Sequence, residues 1–207
     1  MKTNQIGRSM VEMLGVLAIV GVLSVGGIAG YSKAMEKFKI NKTAEQISHI
    51  ATNIRTLYAQ QTSYNGLDGL NAIKMGVVPD SLITSNNWPY IRNEFGGMIR
   101  IQSDVASSNK GWDTAFIIGI EAEPDPIPKE VCIALATMDW GSISSSGFIG
   151  MTIGDITTPV PVFTDSCVSS DTSKAFCSKD GPINVVDATS ACLSLNTQVG
   201  GIFLKFQ

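Results

Sequence analysis

Residues 13–32 carry no charged side chain, and leucine, valine, isoleucine, alanine and glycine fill almost the whole run. About 20 apolar residues in succession are enough to cross a bilayer as a helix. Lys2 and Arg8 precede the run, and Lys33, Lys37, Lys39 and Lys42 follow it. With basic residues at both ends, flanking charge alone does not set the orientation. Helical character then continues with a different pattern. Ile40, Ala44, Ile47, Ala51, Ile54 and Tyr58 recur at alternating intervals of four and three residues, with Ile50 and Leu57 beside them. Such spacing draws one apolar stripe along an otherwise polar helix. The two halves together predict a helix over residues 9–60, about 75–80 Å long at 1.5 Å per residue. Its first half is apolar on every side; its second half has one face to lay against a sheet.

After Tyr58 turn formers take over. "QQTSYNGLDGLNAIKMGVVPDSLIT" surrounds one short helical piece, 69–76, with Gly, Asn and Asp turn signals. "NEFGGMIRIQSD" predicts a turn and then a strand with Met98, Arg100 and Gln102 on one side and Ile99 and Ile101 on the other. "WDTAFIIGIEAE" predicts a second strand, with 107–111 joining the two as a hairpin. "PIPKEVCIALATMDWG" reads as a helix with Pro128 in its first turn, Val131, Leu135 and Met138 on one face, and Gly141 closing it. "SGFIGMTIGD" is a strand, "VPVFTDS" extended, "VVDATSACLSL" a short helix, and "GGIFLKFQ" a terminal strand.

Composition narrows the class. The chain has 207 residues, room for one domain with a proper core plus an appendage. Its net charge of −3 is mild, and no basic stripe with interleaved aromatics occurs, which argues against nucleic acid as a partner. Cys132, Cys167, Cys177 and Cys192 all lie in the last third, without the spacing of a zinc or redox site. An even, clustered set of this kind points to two disulfides and an oxidising compartment; spacing alone leaves three pairings open.

Glu12 is the residue that calls for a reason. A carboxylate at the edge of an apolar span costs several kcal/mol unless it is paired or reaches water. An ordinary signal peptide cut near Gly27 or Ala29 is one reading, but the chain continues beyond it as helix. A plain membrane anchor leaves Glu12 unexplained. The stretch Gly7-Arg8-Ser9-Met10-Val11-Glu12-Met13-Leu14, with the apolar tract behind it, resembles the processing site of type IV prepilins. In that family a dedicated peptidase cuts after a glycine and leaves glutamate as the fifth residue of the mature chain. The resemblance implies a leader of residues 1–7, cleavage between Gly7 and Arg8, and N-methylation of the new terminus. Members usually carry Phe, Met or Leu after the cut, where this chain has Arg8. The run Asn93 to Gly97 is similar to the lead-in to the first strand of type IVb pilins.

The resemblance therefore implies an α+β type IV pilin fold: a long N-terminal helix packed on an antiparallel sheet, with a disulfide-stapled C-terminal region. Its parts would be the leader 1–7, a transmembrane and filament-core helix 8–32, the amphipathic half 33–60, and a globular head 61–207. In type IVb pilins a disulfide links a helix cysteine to one near the end, which implies Cys132 with Cys192, bounding 132–192, and leaves Cys167 with Cys177. Chain-entropy arithmetic assigns about 4 kcal/mol to the long bridge and about 3 to the short one. Glu12 would face the N-terminal amine of a neighbouring subunit. Gly21, Gly26, Gly27 and Gly30 would let the helix melt locally on assembly, with close helix packing as the alternative. No proline interrupts the tract, unlike many type IVa members.

Catalytic chemistry is scarce. His49, the only histidine, lies on the helix beside the apolar stripe, where a packing or surface role is expected. No histidine is available elsewhere for a Ser-His-Asp triad, and no cysteine or second histidine supports a metal site. "EAEPDP" groups three carboxylates; a solvated acidic loop is the expected state, calcium ligation the alternative. "SSDTSKAF" reads as an exposed loop. No cofactor or metal is expected. The sequence is thus identified as a type IVb-like prepilin, a structural fibre subunit for adhesion, aggregation or motility. Its expected partners are other pilin subunits, the prepilin peptidase and the inner membrane. Two rivals remain: a type II secretion pseudopilin, a family that usually lacks the C-terminal disulfides, and a secreted binding or enzymatic domain behind a conventional signal peptide.

Overall fold

The computed structural model describes residues 10–84, 89–104, 114–122, 127–141, 147–155, 176–179, 181–195 and 200–207. It divides into two compact units, Met1–Lys39 and Ile40–Gln207, and one helix, α1 (Met10–Tyr58), contributes to both. The long apolar run and the striped segment are thus continuous helix, as the pattern predicts.

In the first unit the apolar side chains of residues 13–32 are exposed along the whole run. The most apolar 18-residue window has a mean hydropathy of 2.2 and none of it is buried. Leu14, Leu17, Ile19 and Leu23 are each more than 60% exposed, a surface that water does not tolerate over such a length. Ser24 Oγ donates to the Val20 carbonyl at 2.7 Å and Ser32 Oγ to that of Ile28 at 3.0 Å. Both hydroxyls are satisfied inside the helix, as an apolar surrounding requires.

In the second unit Ile40, Ala44, Ile47, Ile50, Ala51 and Ile54 of α1 are buried, and Tyr58 is partly so. Leu57, placed beside the stripe by its spacing, is instead 48% exposed. The helix ends in a loop leading to α2 (Gly69–Lys74), capped by Asp68, whose carboxylate accepts the Asn71 amide at 2.7 Å. Among the described residues six strands follow: β1 (Ile91–Arg92), β2 (Met98–Ser103), β3 (Phe116–Glu121), β4 (Phe148–Asp155), β5 (Phe176–Lys179) and β6 (Gly200–Phe206). Helix α3 (Lys129–Ala136) comes between β3 and β4, and α4 (Val185–Ser194) between β5 and β6.

The sheet order is β1-β2-β3-β6-β4-β5, and every neighbouring pair is antiparallel. The last strand therefore lies in the middle, pairing Ile118 of β3 with Leu204 and Leu204 with Met151 of β4. One face carries Ile99, Ile101, Ile118, Ile120, Ile202 and Leu204 into a single core with the α1 stripe and with α3 and α4. Tyr64 joins it through Phe116, with ring centroids 4.8 Å apart. Burial pushes the Tyr64 phenol above its ordinary value of 10.0, and the nearby Arg55 cation partly offsets this.

On the opposite face Phe203 is fully buried. A Cβ at Gly119 would stand 2.9 Å from the Phe203 ring, and one at Gly201 3.1 Å from it. The two glycines open the sheet surface on which the ring lies, the arrangement by which an aromatic side chain shields glycine backbone.

Several expectations are revised. Pro128 precedes α3 as its cap residue rather than sitting in the first turn. That helix stops at Ala136, and the Trp140 indole reaches back to the Leu135 carbonyl at 2.9 Å. Met138 and Gly141 therefore lie past the helix end. Strands β1 and β5 carry little periodicity of their own; β1 is two residues long and owes its state to its partner β2. The hairpin expected at 107–111 and the extended piece "VPVFTDS" lie outside the described residues, as does the loop expected at 169–176 except for Phe176, which opens β5.

Candidate functional site

Gly7 and Arg8 lie outside the described residues. Glu12 stands in the first turn of α1, exposed, where the positive end of the helix dipole favours a carboxylate. Gly21, Gly26, Gly27 and Gly30 all sit within unbroken helix in the single chain. A Cβ added at any of them, or at Gly15, would meet nothing within 4 Å. Among the described residues no contact demands glycine there, although each costs a helix about 1 kcal/mol relative to alanine. Gly15 belongs with them and was not singled out from the sequence.

In the second unit Cys132 on α3 and Cys192 on α4 form a disulfide, with Cα atoms 5.9 Å apart and the two cysteines 60 positions apart in sequence. Both cysteines are buried, 1% and 3% exposed. Asn184 caps α4 by accepting the amides of Val186 and Asp187, and the helix turns Val185, Val186 and Leu193 to the surface. Cys177 lies on β5, its backbone in register with Thr152; Cys167 is outside the described residues, so the second pairing is untested.

The acidic segment behaves differently from a solvated loop at its first residue. Glu121 is wholly buried, and both of its oxygens accept from Arg100, Oε2 at 3.0 Å from Nη2 and Oε1 from Nε. Arg100 faces Gly119 in the β2–β3 register, so the pair is diagonal across the strands. Nothing in the spacing announces it. A second pair, Lys205 with Asp104 at 2.6 Å, is also largely buried. Arg100→Met alone strands a buried carboxylate and should destabilise the fold by about 3 kcal/mol, whereas Arg100→Met with Glu121→Met should recover most of that loss. Thermal melts of the detergent-solubilised chain test the pair, and equal losses in both variants would contradict this account.

A third ionic contact ties the helix to the sheet. Glu94 accepts from Lys42 at 2.9 Å and from Gln46 at 2.7 Å. Glu94 sits in the β1–β2 turn, where Asn93 Oδ1 takes the amides of Phe95 and Gly97. A Cβ at Gly97 would fall on the Glu121 carbonyl oxygen, so that position admits only glycine. The Asn93–Gly97 run is thus a close backbone approach between the turn and β3.

Reactive groups do not gather. The groove of ≈ 270 Å³ beside α2 and β2 has Asp68, Tyr90 and Arg100 as its ionisable lining; Asp68 caps α2 and Arg100 is held by Glu121. His49 Nδ1 lies 3.3 Å from the Asn53 side-chain Nδ2 on the exposed side of α1. Among the described residues no three His, Cys, Asp or Glu side chains converge as a metal site.

A long helix with an uncovered apolar half, an antiparallel sheet on its other half and a disulfide-tied C-terminal region together define a type IV pilin. More particularly, the chain belongs to the family described as PilS N terminal, which matches residues 37–194. It is also similar to the "Major structural subunit of bundle-forming pilus" of Escherichia coli O127:H6 (strain E2348/69 / EPEC) and to the protein so described in Escherichia coli O111:H-. Each is 29% identical over 147 residues, covering 71% of this chain and 71% of the relative. The family match begins after the apolar tract, so it is independent of the Gly7–Glu12 motif.

Proposed function

We propose that this chain is a structural subunit of a type IV pilus of the type IVb kind. It is made as a prepilin, held in the inner membrane by residues 8–32, trimmed between Gly7 and Arg8 on the cytoplasmic side by prepilin peptidase, and polymerised through α1 into an extracellular fibre. The observation that carries the reading is the apolar half of α1, uncovered along its whole length, on a chain whose remainder belongs to a pilin family. Packing those helices side by side in a filament core removes that surface from both lipid and water. The bridged Cys132–Cys192 pair supports a pilus subunit over a pseudopilin.

In this reading Glu12 carries docking, with the N-terminal amine of a neighbour as its partner, and the glycines at 21, 26, 27 and 30 carry the rearrangement of the helix during assembly. The fibre's output is adhesion, aggregation or motility, and the role needs no enzymatic activity of the subunit. Mass spectrometry of the mature chain tests the processing step: the expected start is Arg8, carrying an N-methyl group. A start near Ile28 would instead identify a cleaved signal peptide.

A further inference from the structure

We infer that Asn65 is a self-modifying site, where the chain converts an asparagine into aspartyl and isoaspartyl forms without an enzyme. Asn65 is the chain's one asparagine followed by glycine. It is exposed, in the turn closed by the Leu67 amide donating to the Tyr64 carbonyl at 3.0 Å. Gly66 holds φ +79, and nothing lies within 4 Å of where its Cβ would be. Without a side chain, its amide nitrogen is open to approach.

The hydrogen bonds around the turn leave both reacting groups unengaged. The Asn65 backbone amide donates to Ser63 Oγ at 3.5 Å, and the Gly66 carbonyl accepts the Asn71 carboxamide at 2.8 Å. Among the described residues, neither the Asn65 carboxamide nor the Gly66 amide has a partner. Asp68, which also precedes a glycine, provides the contrast. Its carboxylate is held by the Asn71 amide at 2.7 Å and the Asn71 side chain at 3.1 Å.

The chemistry needs only water and base. Base removes the Gly66 amide proton; the nitrogen bonds to Asn65 Cγ as the Cγ–Nδ2 bond breaks, and Nδ2 takes up a proton and leaves as ammonia. Water then opens the resulting cyclic imide. Cleavage at the Cγ carbonyl yields aspartate; cleavage at the main-chain carbonyl yields isoaspartate, whose backbone is longer by one methylene. Either product adds one negative charge to the chain's −3. The isoaspartyl form inserts its extra atom between residue 65 and Gly66, one residue before Leu67, which is buried and whose carbonyl accepts the Ser103 amide of β2 at 2.9 Å. This loosens the loop between α1 and α2 where it is clamped to the sheet.

The test is a time course on the detergent-solubilised full chain in mildly alkaline buffer, read by peptide mapping with fragmentation that separates the two products. The Asn65 peptide should become one mass unit heavier about tenfold faster than peptides bearing the other asparagines, because glycine follows only Asn65. Gly66→Ala should slow conversion about tenfold. Asn65→Gln, which keeps the turn's glycine, should stop it while leaving the melting temperature unchanged. Conversion no faster at Asn65 than at the other asparagines, or equal isoaspartate at positions 65 and 68, would overturn the inference.

Discussion

Glu12→Ala is expected to abolish fibres while leaving the subunit trimmed, folded and membrane-held. The residue is not part of the buried core that holds Ile47, Ile50 and Ile54, so its loss leaves that core intact. The cost falls on docking. A subunit entering an apolar helical bundle brings a new α-amino group that needs a counter-charge, and removing one partner of a buried ion pair costs about 3–5 kcal/mol. That corresponds to a loss of about a hundredfold or more in the equilibrium for adding a subunit. Glu12→Gln separates charge from size: it keeps the volume and removes the carboxylate, and should fail almost as completely as alanine. Electron microscopy of sheared fibres, with immunoblots of membrane fractions, gives the readout. Normal fibres from either variant would show that the carboxylate has no pairing role.

Removing the Cys132–Cys192 bridge should have the largest effect on the head itself. The bridge closes a loop of 60 residues in sequence separation. Its loss frees the unfolded chain by about 4 kcal/mol of loop entropy. For a head of this size that corresponds to a melting temperature lower by about 8–16 °C. The loss is greater than for an exposed bridge, because α3 and α4 meet at the cysteines and both pack into the common core. Paired serine substitutions, melted beside the parent protein, measure it. Serine at these buried sites also leaves hydroxyls to be satisfied, so paired alanines are the cleaner comparison. An unchanged melting temperature in the alanine pair would mean that packing alone holds α3 on α4.

The two expected losses differ in kind. One acts between subunits and leaves the monomer's melt untouched; the other acts within the head and reaches the fibre only through the stability of each subunit. Arg100 and Glu121 resemble the second case. Their pairing lies across strands β2 and β3 and has no bearing on the apolar helix.

Much was legible in the residues because helix periodicity is local. The intervals of four and three from Ile40 to Tyr58 needed no knowledge of what the stripe packs on, and the structure buries that stripe. Alternation in "MIRIQS" likewise put Ile99 and Ile101 on one side, which the structure buries. Leu57 failed the same logic, because a residue at the margin of a stripe is buried only if the neighbouring surface extends over it. Glu121 failed for a complementary reason. Its sequence neighbours are acidic and proline-rich, but its fate is decided by an arginine that only strand pairing brings beside it.

The amino-acid sequence by itself determined the long helix, the change from an all-round apolar half to a one-faced half, the position of Glu12 and the presence of the main strands. Each depends on residues within a few positions of one another, whose preferences add along the chain. Tertiary structure alone decided that the last strand lies between β3 and β4, that Phe203 covers Gly119 and Gly201, and that Glu121 is buried against Arg100. It also brought Cys132 to Cys192, a pairing that spacing left open among three. These outcomes depend on which distant segments share a core, and local pattern carries no term for that.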